Sequence, residues 1–341
     1  LLQRVNGLAR NAGKPAGARR TVASIMIAAH DFRFIENIEG RLLAQGHRVT
    51  REYWKGHANR FEYGQTRASA EADIIFCEWC LGNAVWWSRN LPAGKRLIIR
   101  MHLQELPTTY PAAVDFSRVE KILFISPHVL RQAIAKFNIP AGKCQVIPIS
   151  VQLRAGSPYS PSEVRVRRDT LGMVGLTPWR KRPDRALELL LTLRQRYPRL
   201  RLSLKGHTPS EYDWMAHRKE ELSNYQAFFR EIAQLERHGV VSMSGYDDQL
   251  ETFYRGAGWI LSLSDFEGCH TAVAEGGVMG CLPLMTNWGG ADEVYPPALV
   301  QRDLTELVGY YDAHYESFAH DSSAIRAQFT QTFGLDRVME R

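Results

Sequence analysis

The chain has 341 residues, 45% of them hydrophobic, and its 43 basic and 36 acidic side chains leave a net charge of +7. That length is too great for one small core and suits two domains of ordinary size, while no run approaches the roughly 18 to 20 apolar residues that a bilayer-spanning helix needs. The positive balance suits an anionic ligand or an anionic membrane surface; with no zinc-finger spacing, aromatic RNA-binding run or basic recognition helix, nucleic acid is not the expected partner.

Residues 1 to 20 carry Arg4, Arg10, Lys14, Arg19 and Arg20 with no acid and no apolar core. They read as a basic flexible leader rather than a secretory signal, and with no initial Met they suggest a larger parent chain with further domains. The expected location is cytoplasmic, with peripheral attachment to the inner membrane face as its variant. Five Cys fit reduced, buried thiols, because Cys77-Glu-Trp-Cys80 is a lone C-x-x-C without the second pair that zinc would need.

From Thr21 a short apolar run to Ala29 predicts a strand, His30-Asp31 a loop, and Phe34, Ile35, Ile38, Leu42 and Leu43 a helix, before Arg48-Val49-Thr50 opens a second strand. The alternation continues through Asp73 to Cys77, a Trp-rich helix near Ala84 to Arg89, Arg96 to Met101, Lys121 to Ile125, Pro127 to Phe137 and Gln145 to Ile149. This predicts a Rossmann-like parallel sheet over residues 21 to 151. His102 then falls at the carboxyl end of its strand, where it is either a hydrogen-bonded structural residue or a ligand-facing one.

Residues 152 to 169, rich in Pro, Ser and Arg without apolar period, read as the interdomain linker. A second series begins at Thr170 and runs to 318. It comprises a strand to Leu176, a helix from Pro183 with Ala186, Leu189, Leu190, Leu193 and Tyr197 on one face, and a strand from Leu200 to Leu204. Ser210 to Arg237 reads as two amphipathic helices, and residues 319 to 341 as C-terminal helices returning toward the first domain. Arg180 and Lys181 lie just before the helix at Pro183. They form either a solvated basic helix start or an anion site, since cations beside the positive end of a helix dipole need an offsetting anion.

The most informative stretch is 258 to 294. Trp259 to Leu263 suits a buried strand, Glu267-Gly268 breaks it, and Thr271 to Met279, rich in small residues, suits a helix packed close to a sheet. Free N–H groups at such a helix start favour anions, which makes 268 to 271 a candidate phosphate cradle. Glu267 stands at its mouth and Glu275, eight residues on, about one turn inside; two acceptors at two depths can hold two different hydroxyl-bearing groups.

The run E-G-C-H-T-A-V-A-E, followed by Gly-Gly-Val-Met-Gly-Cys-Leu-Pro and then Trp-Gly-Gly-Ala-Asp-Glu-Val, resembles the E-x7-E signature and Gly-Gly-x-x-Glu turn of retaining GT-B glycosyltransferases of the family-4 type. The resemblance implies an α/β fold of GT-B architecture, with two Rossmann-like domains whose parallel sheets face an interdomain cleft. It implies that Glu267 lies by the donor sugar and Glu275 holds the ribose, with Gly268, Cys269, His270 and Thr271 meeting diphosphate and sugar hydroxyls. Gly175 to Arg182 resembles the family's G-R-x-x-x-x-K-G loop, which assigns Arg180 and Lys181 to the diphosphate. Val240 to Tyr246 resembles its V-x-F-x-G strand and turn, placing Met243, Gly245 and Tyr246 at the nucleobase. His30 and Asp31 take the place of a loop facing donor phosphate and acceptor, and His102 that of a histidine facing the donor sugar. Cys269-His270 replaces the usual Phe-Gly, Leu176 the usual Arg and Ile149-Ser150 the usual Asn-Gly. The His270 imidazole is placed either to reach a phosphate or to cap the helix.

The implied reaction is sugar transfer with retention, from a UDP- or GDP-sugar to a saccharide or lipid-linked acceptor, in polysaccharide or glycoconjugate synthesis. It needs no cofactor beyond the nucleotide-diphosphate sugar that serves as donor substrate, and no metal. The rival readings are a GT-B nucleotide-sugar epimerase and a non-catalytic module that only binds saccharide or a partner; a GT-B phosphorylase would need a pyridoxal lysine, for which the sequence carries no signal.

Overall fold

A computed structural model of the chain describes residues 22–58, 67–153, 156, 158–247 and 249–341; the leader, residues 1 to 20, lies outside them. Contacts divide the chain into two units, one of residues Leu1–Gln152 with Phe333–Arg341 and one of Leu153–Thr332. Among the described residues no helix is long and apolar enough to cross a membrane.

The first unit is built on β1 (Ser24–Ala29), β2 (Arg48–Tyr53), β3 (Ile74–Glu78), β4 (Arg96–Met101), β5 (Lys121–Phe124) and β6 (Cys144–Val146), in the order β2-β1-β3-β4-β5-β6. All its pairings are parallel. Every residue of β1 and β3 is buried. This is why these strands read as continuous apolar runs: side chains on both faces of a parallel sheet are covered. The second unit repeats the plan with β7 (Thr170–Val174), β8 (Arg201–Lys205), β9 (Val241–Ser244), β10 (Trp259–Ser262), β11 (Leu282–Thr286) and β12 (Val300–Gln301), ordered β12-β11-β10-β7-β8-β9 and again parallel.

Each sheet reverses its winding once. After β1 the chain goes to β2 on one side and then to β3 on the other; after β7, β8 and β9 it returns to the far side of β7 with β10. The loops leaving the carboxyl ends of strands at such a reversal diverge and leave a crevice, the preferred ligand position in open α/β sheets. The candidate loops at His30-Asp31, Arg180-Lys181 and Glu267 all leave strands that flank a reversal.

Three expected boundaries are corrected. The stretch read as linker is helical over 8 residues: Pro161–Arg168 forms a helix whose N-cap Ser160 completes a capping box with Glu163, so the Pro and Ser residues start a helix instead of preventing one. Of the terminal segment read as returning to the first domain, only Phe333–Arg341 joins the first unit. There the helix Leu335–Met339 buries Val338 and Met339 in the core of the first unit, with Leu335 packed against it. The preceding helix, Phe318–Phe333, is held by the second unit through Gly277, at which an added Cβ would stand 2.1 Å from a ring carbon of Phe329. Finally, Ser210 to Arg237 holds one long helix, Lys219–Arg237, preceded by short 3-10 turns at Pro209–Glu211 and Asp213–His217.

Candidate functional site

At the reversal of the second sheet, the loop after β7 and the loop after β10 are bonded to each other. The Asp265 N–H donates to the Arg180 carbonyl at 2.8 Å, and the Arg180 guanidinium donates to the Phe266 carbonyl at 2.7 Å. Between these ties sits Glu267. Its Oε1 accepts from Lys181 Nζ at 2.6 Å and from Ser264 Oγ at 2.8 Å, and lies 3.1 Å from Arg180. Burial alone would push this carboxyl up, but Lys181, His270 and Arg180 together bring it down to about 2. Burial lowers the Lys181 ammonium against the opposing pull of Glu267. Arg182, which follows, takes the left-handed backbone at φ 58° and is anchored by Asp184 and Asp265.

The helix Thr271–Val278 begins three residues beyond Gly268, and no side chain caps its start. The Val273 N–H donates to the His270 carbonyl at 2.9 Å, which leaves the N–H groups of Thr271 and Ala272 at the helix start to favour an anion. His270 occupies the cap position without capping. Its Nδ1 lies 2.8 Å from Ser262 Oγ, which also accepts from Trp288 Nε1 at 3.1 Å. Burial, reinforced by Lys181, pulls this imidazole down to about 3, so it is neutral at physiological pH. Cys269 stands 3.8 Å from the Tyr295 hydroxyl, and burial pushes its thiol up to about 12. Cys77, Cys80 and Cys281 are free and buried; Cys144 and Cys269 are free and partly buried.

Inside the helix, Glu275 Oε2 accepts from the Tyr254 hydroxyl at 2.7 Å, and burial raises the carboxyl to about 7. Gly276 and Gly277 supply the close approach this placement needs: a Cβ at Gly276 would sit 3.0 Å from Ile260 of β10. At the end of β9, Met243 and Tyr246 are exposed, and Tyr246 stacks on His207 at 4.5 Å with an interplanar angle of 15°. His207 was not expected, nor was buried Lys205, paired to Asp247 at 2.7 Å. The signal for both was their position immediately at and after a strand's carboxyl end.

The first unit has its own group of polar side chains. His30 is half-buried beside His57 at 4.8 Å and Trp79 at 5.3 Å, and burial lowers its imidazole. Asp31 is paired with Arg33 at 2.6 Å, and its carboxyl is held below its usual value, the Arg33 hydrogen bonds outweighing the effect of burial. His102 is buried, with its ring 4.0 Å from that of Trp79 and its Nε2 2.8 Å from Glu78 Oε1. Glu78, Trp79, Arg100 and Glu105 around it were missed, although Glu78-Trp79 directly follows an apolar run and Arg100 lies within one. Among the described residues no group of three His, Cys, Asp or Glu is placed to hold a metal ion.

No protein-family model and no curated protein sequence matches the chain. Solved structures do. HepE of Anabaena, in complex with UDP and glucose, is 14% identical, with a TM-score of 0.66 over 93% of this chain and 97% of that one. A glycosyltransferase from Rickettsia africae ESF-5 is 14% identical, with a TM-score of 0.68 over 94% and 96%. Sucrose-phosphate synthase from Thermosynechococcus elongatus is 14% identical, with a TM-score of 0.64 over 92% and 96%. At these identities the likeness is one of fold, and the fold is GT-B.

Proposed function

We propose that this chain is a retaining glycosyltransferase of the family-4 type, which moves a sugar from a nucleotide-diphosphate donor to a saccharide or lipid-linked acceptor without a metal ion. The observation that carries the reading is the convergence of Arg180 and Lys181 on Glu267 at the reversal of the second sheet, beside the uncapped start of the helix Thr271–Val278. A nucleotide diphosphate gathers negative charge as it leaves the sugar, and two cations with a set of fixed amides meet that charge without reorganising. Glu275, with Oε2 bound to Tyr254, keeps Oε1 for the ribose hydroxyls. Glu267 receives the hydroxyls of the transferred sugar, and the exposed Tyr246 and Met243 border the base. The E-x7-E spacing supports retention, and HepE, similar in fold, has been crystallised with UDP and with UDP-glucose. His30 and Asp31 of the first unit are assigned to the acceptor, and His102 to a saccharide hydroxyl.

Incubation with labelled UDP- and GDP-sugars tests the reading. Release of free sugar, or its transfer to added saccharide or to a lipid extract, is the expected result. Interconversion of the donor without transfer would identify an epimerase, and binding without turnover a saccharide-binding module.

A further inference from the structure

The first unit holds a charged network where a sheet would ordinarily bury apolar side chains. Glu78, at the end of β3, is 0% exposed and Arg100, in β4, 1%. Arg100 donates to both carboxylate oxygens, Nε to Oε2 and a terminal nitrogen to Oε1, each at 2.7 Å, and also to the Phe34 carbonyl at 2.6 Å. Glu78 Oε1 is shared with His102 Nε2 at 2.8 Å. From below, Glu105 accepts the backbone N–H groups of Cys80 and His102 at 2.9 and 3.1 Å. From above, the Trp79 ring covers the imidazole at 4.0 Å, and Trp79 adopts φ 74°, a conformation a bulky side chain takes only under constraint.

An ion pair buried this deeply is commonly no more stabilising than an apolar pair of the same volume. The network has a second consequence, however. A carboxylate held by a bidentate guanidinium can only accept, so the imidazole nitrogen facing it must carry the proton. Among the described residues the ring's hydrogen bond is the one from Nε2 to Glu78, which leaves Nδ1 on the opposite side of the ring for a ligand. We propose that Glu78 is a positioning residue that holds His102 as its Nε2–H tautomer, so that Nδ1 is presented as the acceptor for a hydroxyl of a saccharide bound to the first unit. A carboxylate that orients an imidazole through one nitrogen sets what the other can do. Arg100 keeps Glu78 ionised, Trp79 and Glu105 restrict the ring and its backbone, and none of the four need touch the saccharide.

The saccharide rests on the transferase reading; the tautomer does not, and it is measured on the protein alone. In full-length protein with ¹⁵N-labelled histidine, the His102 resonances are assigned by their loss in His102→Gln. The expected spectrum at neutral pH shows a protonated Nε2, an unprotonated Nδ1, and an Nε2–H proton shifted downfield and slow to exchange. Glu78→Asp keeps a carboxylate for Arg100 but draws it back from His102. It should move that proton upfield, speed its exchange and lower kcat for sugar transfer by tenfold or more, leaving affinity for free UDP unchanged. A protonated Nδ1 in the wild type, or an Nε2–H resonance that Glu78→Asp does not move, overturns the proposal. If Glu78→Asp does not fold, the wild-type spectrum decides; if no nucleotide sugar is turned over, the transferase reading fails while the spectrum still tests the tautomer.

Discussion

Lys181 Nζ lies 2.6 Å from Glu267 Oε1 across 86 positions of sequence, and the two side chains neutralise each other in a pocket that buries most of both. An ion pair in that setting is costly to break from one side, because the remaining charge keeps its desolvation penalty and loses its partner.

Glu267→Gln should therefore destabilise the second unit by about 3 to 5 kcal/mol, and Lys181→Met by less, because Arg180 and Ser264 still face the carboxylate. The double substitution should cost clearly less than the two single costs together, since of the three charges only that of Arg180, which is partly open to solvent, is left without its partner. Urea denaturation of the three variants measures the coupling; additive costs would show that the pair is not energetically linked.

The two glutamates should separate in calorimetry with free UDP or GDP. Loss of Glu275, whose carboxyl is assigned to the ribose, should weaken nucleotide binding roughly ten- to a hundredfold, the worth of a charged hydrogen bond of about 1.5 to 3 kcal/mol. Glu267→Ala should not weaken that affinity, because the free nucleotide lacks the sugar that Glu267 is assigned to hold and Arg180 and Lys181 are released toward the diphosphate, while kcat falls. Equal losses in both variants would remove the division of roles.

Glu275 should also impose a pH dependence. Its folded value of about 7 is raised above the ordinary carboxyl value of 4.5 by burial. Between these values the folded chain holds a proton that the unfolded chain has released, so stability falls as pH rises through the window. The loss amounts to about 3 kcal/mol at 1.36 kcal/mol per pH unit. Glu275→Gln should flatten this slope and raise the melting temperature at pH 8, while affinity for UDP falls. A slope that survives the substitution would assign it to another group. Glu267 acts with the opposite sign: held at about 2, it contributes stability above 4.5 that is lost as pH drops toward 2.

Gly277→Ala should lower the melting temperature strongly, since its Cβ would stand 2.1 Å from the Phe329 ring. Overpacking of this kind costs about 1 to 3 kcal/mol or more. Adding Phe329→Leu should restore part of the loss by making room; thermal unfolding of the single and double variants decides it.

The amino-acid sequence by itself determined the two parallel-sheet units, because strands buried on both faces must be continuous apolar runs and the connecting helices carry their own 3.6-residue period. It also marked the E-x7-E helix, because the carboxylates, the glycines and the helix start are local in the chain. Tertiary structure decided which partner each charged group meets. Arg180 and Lys181 could have been a solvated helix start until the loop after β10 brought Glu267 to them. His270 sits at the cap position yet bonds Ser262, because burial beside Trp288 turns the ring inward. Glu78 and Arg100, 22 residues apart on adjacent strands, meet only when β3 and β4 are in register. The Pro and Ser residues before Arg168 were compatible with linker and helix alike until Ser160 and Glu163 closed a capping box. Spacing within one helix or strand is written in the chain, whereas a partner that arrives from another strand's loop depends on sheet order, which no local pattern encodes.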